Sequence, residues 1–384
     1  MTDPNPLLKP RVFISYSRKD GEPFALELRE RLERAGIPLW QDRIKMEGGR
    51  DWWVQITAAL DNVEFMVLVA TPAALESPVV RKEWRYARQQ GVCVYPVLVP
   101  GNPPDFTKMP RWMSSSHFYD YSHPDQQKKL LNDLNTRCES PRVPFMCDAL
   151  PADFVNRPGE LDQLITLLLD EKRDNPVAIT AALRGAGGFG KTTLARAICH
   201  QEDVQQAFDD GILWVTLGEN PDNLTDKVLD LIEILSGERP GFTGVDAAAV
   251  RLAELLADRD ILMVIDDVWN AQHVRPFLQG GERCTRLITT RNDHTLSTDA
   301  RRIVVDAMKS DEAVNLLGAG LLTSPPNPLS GAERGSLDAE FRQLAGRLGE
   351  WPLLLKLVNG VLPVSYTHLR AHETKANLVC RLLL

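Results

Sequence analysis

The spacing of apolar positions divides the chain into two successive alternations of strand-like and helix-like segments. Val12–Ser15 is a short apolar run of strand length. In Glu22–Ala35 the apolar residues recur at helical spacing and stop at Gly36, a residue suited to closing a helix. Ile37–Trp40 predicts a second strand, Trp52–Leu60 a helix, Phe65–Ala70 a fully buried strand and Ser77–Gln90 a helix ending at Gly91. Val92–Val99 and His117–Tyr121 predict two further strands, and Asp125–Arg137 a closing helix. Strands that are apolar throughout and alternate with helices imply a parallel sheet covered on both faces. Five of them within about 130 residues predict a flavodoxin-like α/β domain.

Cys138–Pro151 is proline-rich and aperiodic, and reads as a linker. A second alternation follows it. Pro176–Leu183 predicts a strand that runs into a glycine-rich loop and the helix Thr192–His200. Ile212–Leu217, Ile261–Ile265, Leu287–Thr290 and Ile303–Asp306 predict more strands, and Ser310–Leu317 and Leu337–Leu348 predict helices. No repeat of solenoid or propeller period is present in the sequence.

Composition adds limits to this picture. The 384 residues, 43% hydrophobic and 25% charged, suit a folded chain of two or three domains. No apolar run approaches the roughly 18–20 residues of a membrane span, and the N-terminus lacks the pattern of a secretory signal. The six cysteines (Cys93, Cys138, Cys147, Cys199, Cys284, Cys380) are scattered without a C-x-x-C pair, so the expectation is reduced thiols in the cytoplasm rather than a disulfide framework or a zinc site. Residues 1–140 carry 19 Lys/Arg against 18 Asp/Glu, and the remainder 25 against 34. Neither part offers the basic excess that nucleic-acid binding uses, and neither a nucleic-acid nor a membrane partner is expected.

The candidate chemistry is concentrated in a few motifs. Gly185-Ala-Gly187-Gly188-Phe-Gly190-Lys191-Thr192-Thr193 fits the phosphate-binding loop G-x-x-x-x-G-K-[ST]. Its glycines let successive N–H groups turn toward phosphate oxygens, Lys191 supplies a point charge, and Thr192 a hydroxyl for Mg²⁺. Downstream, an apolar strand delivers Asp266 and Asp267 at its C-terminal end, where open α/β sheets place ligand chemistry. Asp266 is the candidate to hold Mg²⁺ with Thr192, and Asp267 to orient or deprotonate attacking water. Thr289-Thr290-Arg291 ends another strand, which makes Arg291 a candidate sensor of a γ-phosphate.

These residues carry a resemblance. Phe154-Val155-Asn156-Arg157, the phosphate loop, Ile261–Trp269, Leu287–Arg291 and Gly349-Glu-Trp-Pro352-Leu-Leu resemble the NB-ARC class of STAND P-loop NTPases, switch modules of immune and cell-death receptors. The resemblance implies ATP or ADP as ligand, with Arg157 and Pro352 beside the nucleotide. Arg11–Asp20, Gly36–Asp42 and Ser77–Trp84 resemble a TIR domain, whose members act as protein–protein adaptors or as enzymes that cleave NAD⁺. That resemblance implies Glu83 as the catalytic carboxylate, with Phe13, Ser15 and Asp42 lining the cleft. Glu83 has Val79, Val80, Tyr86 and Ala87 at its helical neighbour positions, and none of them is a cation.

The expected organisation is an N-terminal tail (1–9), a TIR domain (10–137), a linker (138–150), a nucleotide-binding domain (151–306), a partial helical segment (307–362) and a tail (363–384) that looks like translated read-through. The expected function is a nucleotide-switched signalling protein that self-associates through both domains, and with other TIR proteins, and cleaves NAD⁺. The alternatives are a non-enzymatic adaptor and a plain metabolic P-loop ATPase. Trp52, Trp53 and Trp84 read as packing residues, and His368 and His372 lack the second motif that a metal site requires.

Overall fold

The computed structural model describes residues 11–40, 52–114, 116–170, 180–184, 187–292, 300–319 and 331–369. They form two units, Met1–Phe145 and Met146–Leu384.

In the first unit β1 (Val12–Ser15), β2 (Phe65–Ala70), β3 (Cys93–Leu98) and β4 (Tyr119–Asp120) lie side by side in that order, all parallel. The expected strand Ile37–Trp40 shrinks to one bridge, Leu39 beside Val12. Its carbonyls still serve β1, since Pro38 O accepts from both Arg11 N and Val12 N. Proline has no N–H to return, so a regular ladder does not extend along this edge. Counting the Leu39 segment outside β1, the order is that of a flavodoxin-like sheet. Helices Glu22–Arg34 and Pro124–Leu134 cover one face and Trp52–Leu60 and Pro78–Gln90 the other, with a separate apolar cluster on each side.

The cysteine expectation needs correction. Cys93, at the start of β3, is disulfide-bonded to Cys138 beyond the last helix of the unit, with their Cα atoms 5.8 Å apart. Sequence spacing hid the pair because 45 residues separate them, and a helical return along the sheet brings them together. Cys147, Cys199 and Cys284 are free and buried, and Cys380 lies outside the described residues.

The second unit holds β5 (Thr180–Arg184), β6 (Gly211–Gly218), β7 (Ile261–Val268), β8 (Thr285–Thr290) and β9 (Arg301–Val304). The sheet order is β6-β7-β8-β5-β9, and every pair is parallel. β8 therefore stands between the strand that feeds the phosphate loop and the strand that carries Asp266 and Asp267 immediately before its last residue, Val268. Helices Ser310–Gly318, Gly331–Arg347 and Pro352–Leu369 pack around Leu317, Phe341, Leu344 and Leu355. The last helix continues past Pro363, where the sequence suggested a break, to Leu369; residues 370–384 lie outside the described residues. Among the described residues no helix is long and apolar enough to cross a membrane.

Candidate functional site

Two sites assemble at the C-terminal edges of the two sheets. In the first unit, Ser77 caps helix Pro78–Gln90 by accepting from Val80 N, and Gly91, with φ 79°, closes it. Val80, Glu83, Trp84 and Ala87 form its buried face. Glu83 thus occupies a position where the helix needs an apolar residue, and it is only 6% exposed. Its partner is Ser15, the last residue of β1, whose hydroxyl donates to Glu83 Oε2 at 2.6 Å. Burial pushes the Glu83 carboxyl up to about 7, with the Ser15 hydrogen bond opposing the shift.

That shift has a consequence for stability. A carboxyl raised from 4.5 when unfolded to about 7 when folded binds its proton more tightly in the native state. The contribution of this group to stability is therefore fully present below about pH 4.5 and is lost as pH rises through about 7, about 3 kcal/mol in all. Glu83→Gln should unfold at higher denaturant than wild type at pH 8, with the difference shrinking toward pH 5. Equal differences at both pH values would remove the burial argument.

Phe13 stands two residues before Ser15 on the same face of β1, buried, with its ring centroid 5.4 Å from that of Trp40. Trp84 is buried as expected and Trp53 lies edge-on to Tyr86. Asp42 lies outside the described residues.

In the second unit Gly190 takes φ 86° and starts the helix Lys191–Cys199. Gly185 is outside the described residues. Gly188 has φ 81°, and a Cβ there would stand 2.8 Å from Leu353 Cβ. Only glycine allows this approach. Lys191 is buried at the mouth of the loop. Burial lowers its affinity for a proton, and the Arg291 guanidinium adds to the effect, against Asp267 and Asp266. Asp266 Oδ1 accepts from Thr192 Oγ1 at 2.8 Å and from Thr289 Oγ1 at 2.6 Å, so the intervening β8 supplies a second hydroxyl to the carboxylate.

Successive strand residues normally face opposite sides of a sheet. Here the β7–β8 register shifts between Ile265 and Val268, and Asp267 adopts φ 53°. This bulge turns Asp267 into the same cleft that Asp266 supports from behind. Asp267 Oδ1 lies 3.8 Å from Arg291 Nε, and the Arg291 guanidinium covers the Trp269 ring at 5.1 Å.

The cleft has a polar and an apolar part. Lys191, Thr192, Asp267, Thr289 and Arg291 line the polar part, and Phe154, Val155, Met308 and Leu316 line the other. Gly190, Thr193, Pro352 and Lys356 border both. Arg157 borders the apolar part and ties it to the loop. Its guanidinium donates to the carbonyls of Phe189 at 3.1 Å, Asp306 at 3.1 Å and Ala307 at 3.2 Å, and pairs with Glu160 and Glu312.

Comparison with known proteins matches each unit to a family. The TIR domain family model matches residues 12–134, and the NB-ARC domain family model matches residues 158–323. The chain joins a TIR domain to an NB-ARC domain. Among similar proteins, the probable disease resistance protein RF45 of Arabidopsis thaliana is 27% identical over 230 residues, covering 56% of this chain and 22% of that protein. The regulatory protein AfsR of Streptomyces coelicolor is 30% identical over 182 residues, 45% of this chain and 18% of that protein. This chain thus spans about a fifth of the length of those relatives. A STAND protein with a tetratricopeptide repeat sensor from Pyrococcus horikoshii aligns with a TM-score of 0.38 and 17% identity, over 56% of this chain and 31% of that one.

Three residues beyond the matched NB-ARC span make contacts that escaped the sequence reading. Trp351 Nε1 donates to Gly187 O at 2.9 Å and its ring stacks on Phe189, while Leu353 N donates to Gly188 O at 3.1 Å. Lys356 reaches the cleft and pairs with Asp153 at 2.9 Å. The proline motif pointed to Pro352, but its flanking residues hold the loop carbonyls. Only their distance in sequence concealed them.

Proposed function

We propose that this chain is a nucleotide-switched signalling effector: the NB-ARC domain binds ADP or ATP with Mg²⁺, ATP exchange clusters copies of the chain through both domains, and clustered TIR domains cleave NAD⁺ to nicotinamide and ADP-ribose products. The observation that carries it is the Glu83–Ser15 pair, a carboxylate buried at the C-terminal edge of a parallel sheet in a chain that also assembles a nucleotide cleft.

In this reading the apolar part of the cleft takes the base and the polar part the phosphates. Gly188, Gly190 and Lys191 cradle the phosphates, and Arg291 meets the γ-phosphate. The Thr192 hydroxyl and Asp266 carboxylate, paired at 2.8 Å, are hard oxygen donors suited to Mg²⁺, which would neutralise phosphate charge. Arg157, Thr193 and Pro352 position the nucleotide, and Asp267 orients water. In the TIR domain, Glu83 in its ionised form stabilises the positive charge that develops on the ribosyl carbon as nicotinamide leaves neutral. Phe13, Ser15 and Asp42 line that cleft. The cytoplasm, where NAD⁺ and ATP are abundant, is the compartment this reading implies.

The test is nicotinamide release from NAD⁺ by the full chain, with ADP–Mg²⁺ or ATP–Mg²⁺, alongside its size by light scattering. ATP should enlarge the assembly and raise release about tenfold, within the usual range of coupling between sites. Clustering by ATP without any nicotinamide release would leave the adaptor reading in its place.

A further inference from the structure

The segment entering the second unit lies against the last turn of the helix that begins with Lys191. Met146 N donates to Ile212 O of the edge strand β6 at 2.9 Å, which sets the position of Cys147 behind it. Cys147 Sγ lies 3.4 Å from the Asp148 carbonyl and 3.8 Å from that of Arg196. Arg196 holds the Asp148 carboxylate at 2.9 Å, and His200 Nε2 lies 2.8 Å from the Asp148 carbonyl. The Cys147 and Cys199 thiols are both free and buried, and each is the largest influence on the other's hold on its proton, with the His200 ring also acting on Cys147. None of these side chains is among those that line the nucleotide cleft.

We propose that Cys147 and Cys199 are a reversible dithiol–disulfide pair, a site of oxidative modification at the far end of the phosphate-loop helix, with a peroxide as its oxidant. Cys147 passes its proton to His200, and the thiolate attacks one peroxide oxygen. The S–O bond forms as the O–O bond breaks, leaving Cys147 as a sulfenic acid, and the departing hydroxide takes the proton from His200 as water. The Cys199 sulfur then attacks Cys147. The S–S bond forms, the S–O bond breaks, and the Cys199 proton leaves with hydroxide as a second water. Two thiols lose two electrons together, and the peroxide gains them.

The surroundings divide the roles. The Cys199 thiol, followed by His200 and Arg196, holds the Cys147 thiol below its ordinary range despite burial. Cys147 in turn, with burial, holds Cys199 well above that range, so it stays protonated until it resolves the sulfenic acid. Burial, opposed by Arg286, pushes Cys284 up to about 11, which makes it an internal control.

The experiment treats the folded full chain briefly with hydrogen peroxide at neutral pH, then denatures it, blocks remaining thiols with N-ethylmaleimide and maps the peptides. A Cys147–Cys199 linked peptide should appear and vanish on reduction, while Cys284 stays blocked by the maleimide. Cys199→Ser should stop at a Cys147 sulfenic acid that dimedone traps, and His200→Gln should form the link about tenfold more slowly. If folded wild type after peroxide still carries maleimide on both Cys147 and Cys199, or if Cys147 and Cys284 oxidise at equal rates, the proposal fails; these readings need no variant to fold.

Discussion

Replacing Glu83 by glutamine should lower NAD⁺ cleavage by about 10²-fold or more, the scale of losing one electrostatic stabiliser, while the protein stays folded and self-associates as wild type. The substitution preserves shape and can still accept from the Ser15 hydroxyl, which now lies 2.6 Å from Glu83 Oε2. It removes the anion. Helix Pro78–Gln90 presents Val80, Trp84 and Ala87 beside Glu83, so no other carboxylate on its buried face can take over. The same substitution should gain stability at pH 8, because it removes a carboxylate that burial disfavours. Lower activity together with higher stability separates a catalytic role from a structural one. Nicotinamide release measured beside denaturant unfolding decides it. A variant that matches wild type in release, under conditions where the wild type is active, would end the enzyme reading.

Lys191→Ala should abolish nucleotide binding by the NB-ARC domain. A lysine–phosphate contact near 4 Å contributes about 4 kcal/mol at the effective dielectric of a protein surface, so its loss weakens binding by about three orders of magnitude. Arg291 does not substitute for it. It is held against Asp267 and Trp269, and a Cβ on Gly187 would meet Arg291 Nη1 at 2.8 Å. Asp267→Asn, which tolerates the φ of 53°, should keep binding and slow hydrolysis. The readout is the thermal shift produced by ADP–Mg²⁺. A shift in Lys191→Ala equal to that of wild type would refute the assignment of the loop.

Local pattern determined the two α/β alternations, the phosphate loop, the acids at the end of β7 and the isolation of Glu83 among apolar neighbours. Each depends on residues a few positions apart, where helical or strand period sets what shares a face. Pro38 reduced an expected strand to a single bridge, and that too was written locally, in a residue without an N–H. Tertiary structure decided the rest. The register shift at Ile265–Val268 places Asp266 and Asp267 around one cleft, a result of how β7 meets β8 rather than of either strand alone. Trp351 holds the carbonyl of Gly187 across 164 residues, and Cys93 joins Cys138 across 45. Cys147 meets the last turn of the phosphate-loop helix, at Arg196, because β6 fixes the entering segment beside it. Such pairings follow from sheet order and helix packing. The spacing of residues along the chain carries no record of them, since the same local signals are compatible with many long-range arrangements.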